Sequence, residues 1–254
     1  MLREVENKNL KLDIPGMNCD EIISEKIDPS LCNKNFISLV VASKGFGKTS
    51  LATSLICSKK KGCRAYRKMF EDIIVSIPRA SLRSIKGDPY KSIPDSNVWP
   101  ELNEEFLDYV EETAEANSSE GYRTLVLLDD ASSKLKSSKS IQDKLELLVH
   151  RHRHLRLSFF ILIQSLTSVS LGVRKNLDQI FYGKGTNSKS DQIFKEEFLG
   201  AYSKDQIDNL FRFVYRERGD FMNLKLTETP TKIFRNFNQV YFNNEKEDSQ
   251  EEKA

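Results

Sequence analysis

Residues 40–50 read VVASKGFGKTS. The run leading in, FISLVVA over 36–42, is continuously apolar and short, the pattern of a strand buried on both faces of a parallel sheet. It passes into two closely spaced glycines, Gly45 and Gly47. KTSLATSLICSKKK then follows over 48–61, with Leu51, Leu55 and Ile56 at helical spacing and Gly62 as a stop. A strand, a glycine turn and a helix in that order aim backbone N–H groups into one concavity at a helix N-terminus, which binds phosphate. The spacing is that of Gly-x-x-x-x-Gly-Lys-[Ser/Thr], with Ala42 in place of the first glycine. Ser43, Lys44, Gly45, Phe46, Gly47, Lys48, Thr49 and Ser50 form the expected cradle for ATP. Lys48 is placed to reach the β- and γ-phosphates, and Thr49 to offer its hydroxyl to Mg²⁺. Position 42 demands a small side chain as the chain leaves the strand, so alanine is expected to be tolerated there.

A second strand signal, YRTLVLLDD over 122–130, ends in two acids. A carboxylate at the carboxyl end of a buried strand sits at the edge where open α/β sheets bind ligands. Asp129 is placed to hold Mg²⁺ with Thr49, and Asp130 to orient or deprotonate an attacking water. The gap between loop and acids leaves room for another strand, EDIIVSIP over 71–78, an arrangement of ATPases that act on polymers. A further strand, LRLSFFILIQS over 155–165, ends in Gln164, whose amide at that tip can touch a γ-phosphate or the attacking water.

Outward from these tips, helical spacing covers 101–116 and 138–154, and NLDQIFYG over 176–183 reads as a fifth strand. Strands alternating with helices predict an α/β fold with a mainly parallel central sheet flanked by helices. Beyond about 184 the pattern changes to two helices broken near Gly200, then closing strands in DFMNLKL and QVYFN around TETPTKIFRNF. The domains expected are an N-terminal arm over 1–35 and one unit over 36–243. That unit comprises a core (36–183) and a small α+β extension (184–243), followed by an acidic, disordered tail over 244–254.

Composition suits a globular protein: 39% hydrophobic and 30% charged residues, with net charge +2. The last ten residues carry five acids against two lysines, so the body leans mildly basic, compatible with nucleic acid. Cys19, Cys32, Cys57 and Cys63 form no Cys-x-x-Cys pair and read as scattered buried thiols in a reducing compartment. No signal-peptide pattern and no run of ~20 apolar residues is present, so the expectation is a soluble, intracellular protein without a membrane span. HRHRHLR over 150–156 holds all three histidines. It reads either as a solvated basic helix end or as the source of an arginine finger. Arg151, Arg153 and Arg174 stay open for that role. KLKSSK (134–139), GKGTNSKSD (183–191) and the group Lys59, Lys60, Lys61, Arg64, Arg67 and Lys68 read either as solvated surface or as phosphate contacts.

Taken together, ASKGFGKTS, LVLLDD and RHRHLRLSFFILIQS with VRKNLDQIF resemble the FtsK/HerA superfamily of P-loop ATPases. The resemblance is greatest to its viral branch, the poxvirus-type genome-packaging ATPases of large DNA viruses, virophages and related transposons. The resemblance spans roughly 36–183, thins over 184–216, and returns in RGDFMNLKL and KIFRNFNQVYF. It implies a RecA/ASCE-like P-loop NTPase and a homo-oligomeric ring, a hexamer, that hydrolyses ATP with Mg²⁺. The ring would drive double-stranded DNA into a preformed capsid with a capsid or portal-type partner, in the host cytoplasm (the virus factory) or with the virion. Lys48 and Thr49 match that family's loop, Asp129 and Asp130 its acid pair, and Gln164 its sensor. Ala42 and the second acid being Asp rather than Glu are departures. Rival readings are a cellular or plasmid DNA-transfer ATPase, a small-molecule kinase, and a non-hydrolysing P-loop binding protein.

Overall fold

The apolar run before the glycines forms β1 (Ile37–Val41), with all five residues buried. The helix behind it is α1 (Lys48–Cys57), which closes on Ser58, immediately before the lysine run that the apolar spacing had included. The computed structural model describes residues 21–78, 81, 90–184 and 187–242. The expected tail from 244 and the first part of the N-terminal arm lie outside the described residues.

The following elements, in chain order, are β2 (Asp72–Ser76), β3 (Val98–Trp99), α2 (Glu104–Ser119), β4 (Thr124–Leu128), α3 (Ser132–Ser137), α4 (Lys139–Arg151) and β5 (Leu157–Ile163). Then come α5 (Leu171–Lys175), β6 (Gln179–Gly183), α6 (Ser188–Phe198), α7 (Lys204–Val214), β7 (Phe221–Lys225), β8 (Lys232–Arg235) and β9 (Asn238–Val240). Among the described residues they make one nine-stranded sheet in the order β3-β2-β4-β5-β1-β6-β7-β8-β9. The pairs from β3 to β6 are parallel, and β7, β8 and β9 add antiparallel strands to the same sheet.

Because β1, β4 and β5 are covered on both faces, their side chains alternate between two cores rather than between core and water. Ile37, Leu39, Val126, Phe159 and Ile161 enter one core with α2 and α4. Val40, Leu125, Leu127, Phe160 and Leu162 enter the other, which also takes Ala52, Leu55 and Ile56 of α1. Ile27, Leu31 and Cys32, within the stretch read as an arm, are buried in that second core.

Segments to which the sequence assigned no element are partly helical in the structure. KLKSSK lies mainly in α3, where buried Ala131 and Leu135 anchor one face of a short helix and the lysines point outward. Residues 188–191 open α6, capped by the Asn187 side chain on the Ser190 N–H. A short α5 follows the Gln164 strand, started by Ser170 on the Val173 N–H. Short polar helices of this kind carry too few apolar residues to show a period. Cysteine burial is also uneven: Cys32 is buried, Cys57 half-buried and Cys63 exposed.

Candidate nucleotide site

At the carboxyl edge of the sheet, the loop, the acids and Gln164 come together. Gly45 and Gly47 have φ of +78° and +103°, the left-handed region that an L side chain resists, so the curl at these positions depends on glycine. Lys48 Nζ donates to the carbonyls of Ala42 at 2.8 Å and Ser43 at 3.1 Å, which folds the ammonium back across the loop. Burial lowers the Lys48 pKa, and the nearby Asp129 and Asp130 carboxylates push it back up.

Thr49 Oγ1 donates to Asp129 Oδ2 at 2.8 Å, across 80 residues of sequence. The Asp129 N–H donates to Ser76 O at 2.8 Å, so the acid is fixed by continuation of the β2–β4 ladder. Burial raises the Asp129 pKa, opposed by the hydrogen bonds from the Thr49 hydroxyl and the Asp130 N–H. A hydroxyl beside a buried carboxylate whose charge lacks full compensation is a hard-oxygen pair that fits Mg²⁺. Asp130 is exposed and sits at φ +52°, a left-handed turn that aspartate tolerates better than most residues. Its Oδ1 accepts from Gln164 Nε2 at 3.2 Å. The Gln164 N–H in turn donates to Ser132 Oγ at 2.9 Å. The β5 tip is thus tied to the acid turn.

The spatial order explains this convergence. Strand β5 lies between β1 and β4, so its tip stands directly between loop and acids. Sequence order had placed a strand between loop and acids along the chain; β5 fills that position in space.

The arginines are not all at this edge. Arg153 Nη2 lies 3.5 Å from Asp178 Oδ1, and Asp178 Oδ2 accepts from the Ile37 N–H at 2.8 Å. Ile37 opens β1, whose five residues separate Arg153 from its own loop by about 15 Å of strand. Arg174 forms a bidentate pair with Glu197 at 2.8 and 2.9 Å and donates to Val169 O at 2.7 Å, so its guanidinium ties the segment after Gln164 to α6. Arg151 pairs with Glu111 and Glu115 of α2.

Gly183, ending β6, was expected only as the first residue of the 183–191 segment and not as a packing partner of the loop. A Cβ there would meet Phe46 Cζ at 2.7 Å and Ala42 Cβ at 2.8 Å. The methyl that replaces the motif's first glycine is therefore accommodated by a glycine on the neighbouring strand. The available signal was a strand ending in glycine beside a loop with one methyl too many.

Solved structures share this fold. The DNA-packaging ATPase B204 from Sulfolobus Turreted Icosahedral Virus matches with a TM-score of 0.53 at 13% identity, covering 79% of this chain and 97% of that one. The genome packaging NTPase B204 from Sulfolobus turreted icosahedral virus 2, in complex with ATP-gammaS, matches at 0.56 and 15% identity, over 79% and 97%. EssC (ATPases 2 and 3) from Geobacillus thermodenitrificans matches at 0.53 and 16% identity, over 75% of this chain and 37% of that one. The fold is that of the P-loop NTPases. No family model matches the chain, and no curated protein does.

Proposed function

We propose that this chain is an Mg²⁺-dependent ATPase that translocates double-stranded DNA and packages a viral genome into a preformed capsid. The observation that carries the ATPase reading is the meeting of Thr49, Asp129, Asp130 and Gln164 at one sheet edge beside a left-handed glycine loop. The packaging reading is supported by the likeness in fold to the B204 genome-packaging ATPases and by the sequence resemblance. The loop N–H groups and Lys48 bind the phosphates, while Thr49 and Asp129 hold the cation. When bound, Mg²⁺ offsets the negative charge that develops between the β- and γ-phosphates. Asp130 takes the proton of the attacking water, and Gln164, held on Asp130, keeps the water and the carboxylate in register.

Arg153 supports a ring. An arginine at the amino edge of the sheet cannot serve its own loop, but it can serve the loop of a neighbour packed edge to edge, where its charge stabilises the transferring phosphoryl group. Arg174 and Arg151, the other two candidate fingers, are engaged within the chain, with Glu197 and Val169 and with Glu111 and Glu115. The reading includes a homo-oligomeric ring, a hexamer, and a capsid or portal-type partner.

The test is ATP turnover with and without double-stranded DNA, for the wild type and for Lys48→Ala. The expected result is DNA-stimulated turnover that the substitution abolishes. No turnover in either condition removes the motor reading, and turnover indifferent to DNA moves the substrate elsewhere.

A further inference from the structure

The γ-phosphate end of the site is fixed by Asp129, Asp130 and Gln164, which lie on the β5 and β4 side of the loop strand. A nucleoside triphosphate held by this loop therefore directs its ribose and base toward the opposite side, over β6 and β7. That side carries a run of aromatic rings on the α1 face of the sheet. Phe46 of the loop stands over Gly183, and Gly183 pairs with Phe221. Phe221 packs edge-on against Phe237 at 5.5 Å and against Phe181 at 5.8 Å, while Phe181 lies 6.5 Å from Phe237. Phe221 is buried, but Phe237, in the turn between β8 and β9, is 40% exposed.

A single exposed aromatic is ordinary. The turn that presents this one is unusually well held. Asn236, at φ +57°, donates through Nδ2 to Asp220 Oδ1 at 3.0 Å. It accepts the Phe221 N–H on its side-chain oxygen at 3.0 Å and donates its own N–H to Phe221 O at 2.9 Å. Asp220 also accepts from Arg235 Nη2 at 2.9 Å. Burial pushes the Asp220 carboxyl up, but the donors of Asn236, the Glu217 N–H and Arg235 outweigh it and bring the pKa down to about 2. The turn therefore keeps its ionised hub until the pH falls toward that value. A ring fixed in place with one side open, on the base side of a phosphate loop, is a stacking surface.

We propose that Phe237 is the platform on which the purine base of the bound nucleotide stacks, with Phe46 and Phe221 as its apolar floor. This rests on the reading that the loop binds a nucleoside triphosphate. The experiment is calorimetric titration of the full chain with Mg²⁺ and either ATP or inorganic tripolyphosphate, for the wild type, Phe237→Ala and Phe237→Trp. Wild type is expected to bind ATP the more tightly. Phe237→Ala loses about tenfold or more in ATP affinity, the worth of one base–aromatic stack, with tripolyphosphate binding unchanged. Phe237→Trp restores ATP affinity, and its added indole fluorescence is quenched by ATP but not by tripolyphosphate. The proposal is overturned if Phe237→Ala leaves ATP affinity intact or weakens both ligands equally. Equal wild-type affinity for the two ligands overturns it while leaving the phosphate loop standing, and binding of neither removes both readings.

Discussion

Asp129, the proposed cation ligand, works against the stability of its own fold. Burial lifts its pKa, so the folded state favours the protonated form more than the unfolded chain does. The stabilisation that goes with the bound proton is complete below the ordinary carboxylate pKa and is lost as pH rises through the folded value. At neutral pH the ionised group is therefore a net destabiliser until a cation joins it. Asp129→Asn keeps an acceptor for Thr49 and removes the charge. Thermal unfolding at pH 7 without Mg²⁺ is expected to show a higher Tm than wild type, with the gain vanishing in acid, while Mg²⁺-dependent turnover falls by at least about tenfold. A Tm that drops at pH 7 would show that the charge is already compensated within the chain.

Among the elements, the loop strand and β6 are matched to each other. Ala42 is fully buried, and its methyl occupies space that only a glycine at 183 leaves free. Gly183→Ala forces atoms into sub-van-der-Waals approach at a backbone-attached methyl, which cannot swing away as the Phe46 ring can. The expected loss is about 1–3 kcal/mol in denaturant unfolding, together with weaker ATP binding. Ala42→Gly alone is expected to bind ATP as the wild type does, and the Ala42→Gly, Gly183→Ala double variant to recover part of the loss. Strict additivity of the two would show that they do not meet. The expectation that alanine is tolerated at 42 thus has a physical basis that position 42 alone does not contain.

For the whole molecule, the separation of Arg153 from its own loop makes a prediction about assembly. In the proposed ring each site is made from one subunit's loop and its neighbour's arginine. Lys48→Ala and Arg153→Ala chains are each expected to be inactive alone. An equal mixture regains activity, because roughly a quarter of random interfaces then combine an intact loop with an intact arginine. Failure of the mixture to recover, with both variants folded and assembled, removes Arg153 from the reaction.

The local pieces of the candidate site were legible in the sequence because they rest on short-range requirements. A glycine curl needs its glycines adjacent in the chain, and a strand buried on both faces needs an unbroken apolar run. Gly45, Gly47, Lys48, Thr49, the acids at 129 and 130, and Gln164 all announce themselves at the tips of such runs. What the sequence did not contain is which tips become neighbours. That follows from strand order, in which β5 inserts between β1 and β4 and brings Gln164 onto Asp130. Nor did it contain the shape relations across strands, such as Gly183 against Ala42 or Asn236 on Asp220, which join residues 141 and 16 positions apart. Periodicity reports the face a residue occupies, and only the assembled sheet decides what that face meets.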